Sequence, residues 1–137
     1  MIRVRMAFAA LPSVLMLASC GSTTVHQDDL QSWKGVPVDQ LDKHPMFRTM
    51  QVVRTRATDG TEIRDYVDGD VASCSAGGTV FAGSVDLDTY SEFSNCMKSF
   101  PACQNIFYVK DGVVLQYAPI GTGGMGCNTN KQTRPVG

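Results

Sequence analysis

Asn105 to Tyr117 reads NIFYVKDGVVLQY, two β-prone arms around Asp111-Gly112. Asp-Gly is a preferred type I′ pair because both central residues of that turn take positive φ. A two-residue turn sets Lys110 opposite Val113 and Tyr108 opposite Leu115. Ile106, Tyr108, Val113 and Leu115 then share one face, and Phe107, Val109 and Val114 the other. A hairpin apolar on both faces predicts the centre of a sheet covered on both sides. Met50 to Val67 (MQVVRTRATDGTEIRDYV) repeats the pattern around Asp59-Gly60. Its Arg54, Arg56, Arg64 and Asp65 predict a more exposed hairpin.

Between the hairpins, Tyr90, Phe93, Met97 and Phe100 recur at helical spacing, and Thr89 with Glu92 fits a capping box. A helix over Thr89–Ser99 is predicted, ended by Pro101. Val38 to Leu41 forms a short helix after Pro37, stopped at His44-Pro45, because the residue before proline avoids the helical region. The fold class that follows is α+β: a small antiparallel sheet of two hairpins with one or two short helices. Trp33, the only tryptophan, marks the start of the domain (33–137), and the polar stretch Gly21–Gln31 reads as a tether.

Upstream of the tether, Arg3 and Arg5 precede the apolar run Met6–Leu17, and Leu17-Ala18-Ser19-Cys20 closes it. A run of twelve residues is too short to span a bilayer core, which takes roughly 20. The three parts match a secretory signal over residues 1–19. Leu17-Ala18-Ser19-Cys20 closely resembles the lipobox of bacterial lipoproteins. The resemblance implies cleavage between Ser19 and Cys20, a diacylglycerol on the Cys20 thiol and an acyl chain on its freed amine. Two or three chains hold a protein stably at a membrane where one binds reversibly. Gly21 and Ser22 stand where an aspartate retains such proteins in the inner membrane, which implies the outer membrane.

Five cysteines are an odd count for an exported protein. Assigning Cys20 to lipid leaves Cys74, Cys96, Cys103 and Cys127, an even set in an oxidising compartment. Two disulfides are expected, with the pairing open among three connectivities. The 21, 6 and 23 intervening residues contain no Cys-x-x-Cys pair, against both a zinc site and a thioredoxin-like motif. Charge narrows the partners. The whole chain has 12 Lys+Arg and 13 Asp+Glu, and removing residues 1–19 takes away two arginines and no acid. The remaining net of −3 argues against nucleic acid.

Other constellations are explained structurally. Gly121–Gly126 lacks the following helix that a phosphate loop needs, and predicts a tight turn leading into a disulfide at Cys127. Asp65, Asp68 and Asp70, and further on Asp86, Asp88 and Glu92, do not follow the calcium-loop spacing, so no metal is expected. His26 and His44 have no nucleophile in an elbow pattern and are expected at the surface. Phe107, Tyr108 and Tyr117 are expected in the core and not on a nucleic-acid platform.

Pro101-Ala-Cys-Gln-Asn-Ile-Phe-Tyr-Val109, Gly112-Val-Val-Leu-Gln-Tyr-Ala-Pro119 and Gly121–Cys127 resemble a family of small uncharacterised proteobacterial envelope lipoproteins. Trp33-Lys34-Gly35 and Asp59–Ile63 fit it as well. A likeness of architecture alone links the chain to the small lipoproteins of the outer-membrane β-barrel assembly machine, which lack this cysteine set. The expectation is an outer-membrane lipoprotein with a periplasmic domain, no catalytic residues, no cofactor beyond its lipid, and a structural or protein-interaction role with an envelope protein partner. A ligand-binding module and an envelope hydrolase are the alternatives.

Overall fold

The computed structural model describes residues 24–74 and 83–137. The expected signal segment (residues 1–19) and the expected lipidation residue Cys20 lie outside them. Strands β1 (Gln51–Arg56), β2 (Glu62–Gly69), β3 (Gly83–Ser84), β4 (Ala102–Lys110) and β5 (Val113–Thr122) form one sheet in the order β3-β1-β2-β4-β5. Four of them are antiparallel, and the two-residue β3 runs parallel to β1. Short helices α1 (Gln27–Gln31) and α2 (Val38–Asp42) precede the sheet, and α3 (Leu87–Met97) lies between its hairpins. With two disulfides this is the small α+β fold that the sequence predicts.

Both Asp-Gly pairs lie in hairpin turns, but only the second is type I′: Asp59 does not take positive φ, and residues 57–61 form a longer loop between β1 and β2. Asp111 and Gly112 take φ of 52° and 77°, the left-handed values that a type I′ turn demands. The hairpins differ from expectation in rank. Strand β2 of the first hairpin is the centre of the sheet, and β5 of the second is an edge. Charge on the first hairpin does not expose it, because Arg64 and Asp65 are both buried. The register also departs: Lys110 faces Val113, but Tyr108 faces Gln116 instead of Leu115. Leu115 is the extra residue of a β-bulge and is 44% exposed. The first residues of β5 are covered by segment 35–38, with Gly35 N–H donating to the Val114 carbonyl at 2.8 Å and Val114 N–H donating to Val36 at 2.8 Å. Further along, Pro119 offers no N–H to a passing strand.

Alternation divides the sheet's side chains between two cores. On one face Tyr66, Phe107, Val109, Val114 and Tyr117 pack with Trp33, Leu41 and Phe47. Phe107 and Tyr117, cross-strand partners, stack at 4.4 Å, and Trp33 meets Phe107 edge-on at 5.0 Å. The indole N–H donates to the Thr133 carbonyl at 2.7 Å, and the Tyr117 hydroxyl to Asn105 Oδ1 at 2.7 Å. On the other face Val53, Val67, Val71 and Ala102 pack under Phe93 and Met97 of α3.

Helix α3 begins two residues before the expected Thr89, because Asp86 is its N-cap: the Asp86 carboxylate accepts from Thr89 N–H at 2.7 Å. The expected tether is partly folded. Gln27–Gln31 is helical, Thr24 N–H donates to Asn128 Oδ1 at 3.0 Å, and His26 N–H donates to the Thr129 hydroxyl at 2.7 Å. Gly121–Gly126 is the close-packed turn predicted. A Cβ on Gly123, whose φ is +58°, would lie 2.2 Å from the Phe100 carbonyl carbon. Among the described residues, no helix is long and apolar enough to cross a membrane.

Candidate functional site

The four cysteines are joined as Cys74–Cys96 and Cys103–Cys127, which settles the connectivity that spacing left open. The bonds serve opposite faces. Cys74–Cys96 ties the turn after β2 to α3, and Cys103–Cys127 ties β4 to the C-terminal segment. Each closes a loop for which chain-entropy estimates give about 3 kcal/mol.

The C-terminal segment clasps the beginning of the folded domain. Arg134 Nε donates to Asp29 Oδ1 at 2.5 Å, and Asp29 is 1% exposed. Burial pushes the Asp29 carboxyl up, but the hydrogen bonds from Arg134 and Thr129 outweigh it and hold the group below its usual range. His44, expected at the surface, is fully buried against Trp33 and Phe47. Its Nδ1 accepts from Met46 N–H at 3.3 Å, so Nε2 donates to the Arg134 carbonyl at 2.9 Å. Both ring nitrogens are therefore engaged by backbone.

Central strand β2 places two charged neighbours on opposite faces. Arg64 points to the aromatic face, where its guanidinium binds Asp42 at 2.5 Å and Glu62. Burial works against its charge, but the hydrogen bond and charge of Glu62 outweigh it, and it stays protonated throughout the ordinary pH range. Asp65 points under α3. It is 0% exposed, and no hydrogen bond within 3.5 Å reaches either carboxylate oxygen. Burial pushes its carboxyl up to about 7, opposed only by the Tyr90 hydroxyl of α3. Burial and the Asp65 charge push the Tyr90 phenol up in turn. The Thr55 hydroxyl and the Gln104 side-chain oxygen, on the same face by alternation, also lack partners.

A buried acid titrating near neutrality is a feature that active sites share with strained cores. Sequence reading missed it, and the available signal was modest: Arg64-Asp65 sits inside the strand-forming run Glu62–Val67, where one of two adjacent charges must face a core. Of the expected site residues, the four cysteines come together in pairs, and Cys20 and Ser19 fall outside the described residues. Among the described residues, no group of three His, Cys, Asp or Glu side chains gathers as a metal site would need.

No family model matches this chain, and neither a curated protein nor a solved structure does.

Proposed function

We propose that this chain is a lipid-anchored envelope lipoprotein, held in the outer membrane by acyl chains on Cys20 with its domain in the periplasm. The cysteines carry the proposal: Cys74, Cys96, Cys103 and Cys127 are consumed by two disulfides, and Cys20 stands apart at the end of a signal-like segment. Disulfides of this kind belong to oxidising compartments, and the lipobox-like Leu17–Cys20 gives the remaining cysteine a use. Thr24 enters the fold four residues after Cys20, so the anchor would hold the domain close to the bilayer.

The role we assign is structural or protein-interacting and not enzymatic. Several side chains capable of chemistry are committed to the fold: Cys74, Cys96, Cys103 and Cys127 to disulfides, His44 to two backbone groups, and Arg64 to two carboxylates. Metabolic labelling with a fatty-acid analogue tests the anchor. Label should enter the wild-type chain and be absent from Cys20→Ala; label persisting in the variant would refute it. Crosslinking in intact cells should then capture an envelope protein.

A further inference from the structure

The aromatic face carries a pocket of about 150 Å³ between α2, the 3-10 turn Phe47–Thr49 and strands β1 and β2. Leu41, Phe47, Met50 and Val52 give it apolar walls. Arg48, Arg54, Asp42 and Tyr66 supply its polar groups. Three observations point to a ligand site. Tyr66 is 97% buried, with 3% of its surface exposed; its hydroxyl stands beside the Arg64 guanidinium, which can only donate, and its own O–H finds no acceptor within 3.5 Å. A buried O–H without an acceptor is a cost that folded proteins seldom leave standing. Arg48 is exposed, and its guanidinium has no ion pair or hydrogen bond among the described residues. Arg54 meets Asp42 only at 3.8 Å, because Asp42 is held by Arg64 at 2.5 Å.

The charge balance limits what fits. Arg48, Arg54 and Arg64 face Asp42 and Glu62, which leaves one positive charge in excess. A dianionic phosphate would meet the Asp42 carboxylate, whereas a single negative charge matches the surplus. The apolar walls ask for a compact hydrocarbon body, and a cavity of about 150 Å³ is known to take a benzene ring. We propose that this pocket binds a monocarboxylate carried on a compact apolar group. The Tyr66 hydroxyl donates to the carboxylate, Arg48 and Arg54 pair with its charge, and the apolar body lies against Leu41, Phe47, Met50 and Val52. Such a group occurs on small free acids and on the C-terminal residue of a polypeptide. The pocket lies wholly within the described domain and does not depend on the anchor.

Benzoate is a suitable probe, with benzamide as its neutral counterpart and heteronuclear NMR of the full chain as the readout. Benzoate should saturably shift resonances of Phe47 and Tyr66, and benzamide should bind at least about tenfold more weakly, since charge-assisted hydrogen bonds supply that much. Arg48→Gln and Tyr66→Phe should each weaken benzoate several-fold. Tyr66→Phe should unfold at the same temperature as wild type or higher, because it deletes a buried hydroxyl whose O–H has no acceptor. A peptide ending in phenylalanine with a free carboxylate forms the second arm, with its amidated form as control. Tighter binding of the free-acid peptide than of benzoate identifies a chain terminus as the ligand, and the reverse identifies a small acid. Benzoate binding no better than benzamide, or binding that ignores both substitutions, overturns the proposal.

Discussion

The two faces of the sheet bury similar elements and treat their polar atoms differently. On the aromatic face the Trp33 indole, the Tyr117 hydroxyl, the Asn105 amide and the His44 ring all find partners. Its exceptions are the Tyr66 hydroxyl, in the pocket, and one Asp29 oxygen. On the α3 face Asp65, Thr55 and Gln104 are buried with oxygens that find no hydrogen-bond partner within 3.5 Å. Aromatic residues reach far enough to bring their polar ends to distant backbone, as Trp33 does to Thr133. Short acidic and hydroxyl side chains on a central strand cannot. The aromatic face should therefore dominate stability, and the α3 face should give the molecule its response to pH.

The largest effect should come from the aromatic face. Trp33→Ala removes a fully buried indole and its hydrogen bond, and should cost about 4–5 kcal/mol in denaturant unfolding. A loss no greater than that of Val53→Ala, on the α3 face, would erase the distinction between the faces.

The second effect tests the α3 face. The folded-state pKa of Asp65 is raised, so its protonated form favours folding. That contribution is fully present below the ordinary value of 3.8 and is lost as pH rises towards about 7. Wild-type stability should fall over this window, by about 4 kcal/mol at most, a shift of about three units at 1.4 kcal/mol each. Asp65→Asn should flatten the decline and be the more stable protein at pH 8. Equal pH slopes in wild type and variant would show that Asp65 is not buried unpaired.

Removing a disulfide should come third, at about 3 kcal/mol for Cys74→Ala with Cys96→Ala. Hydrogen exchange should then rise in α3 and leave the amides around Phe107 protected. The smallest effect belongs to the clasp. Arg134→Ala strands the buried Asp29 carboxylate; because Arg134 itself is 41% exposed, the cost should fall below that of a fully buried pair, at about 1–2 kcal/mol near neutral pH. Asp29 is depressed in the folded state, so this loss should shrink as pH falls below the ordinary carboxylate range, the reverse of the Asp65 trend.

Local features were legible in the sequence because they depend on neighbours in the chain. Asp59-Gly60 and Asp111-Gly112 set both hairpins, and Tyr90, Phe93, Met97 and Phe100 set the buried side of α3. What was hidden depends on partners far away. Asp29 looks like tether until it meets Arg134, 105 positions along the chain. His44 is buried by rings contributed from positions 33 and 47, with Arg134 closing over it. Strand order follows from which edges of two hairpins meet, which neither hairpin encodes alone. Arg64 tolerates the centre of the sheet because Asp42 and Glu62 reach it. The Leu115 bulge leaves the apolar alternation of β5 looking regular. The pocket was hidden for the same reason, since Arg48, Arg54 and Tyr66 come together only in the folded sheet.

On the proposed reading, the five cysteines divide between one lipid anchor and two disulfides. Intact-mass measurement of the protein from envelope membranes, without reduction, tests it most directly. The predicted species begins at Cys20, carries diacylglycerol with or without an N-acyl chain, and has a mass lower by four hydrogens with no alkylatable thiol. A chain that retains residues 1–19, or one with a free Cys20 thiol, would contradict it.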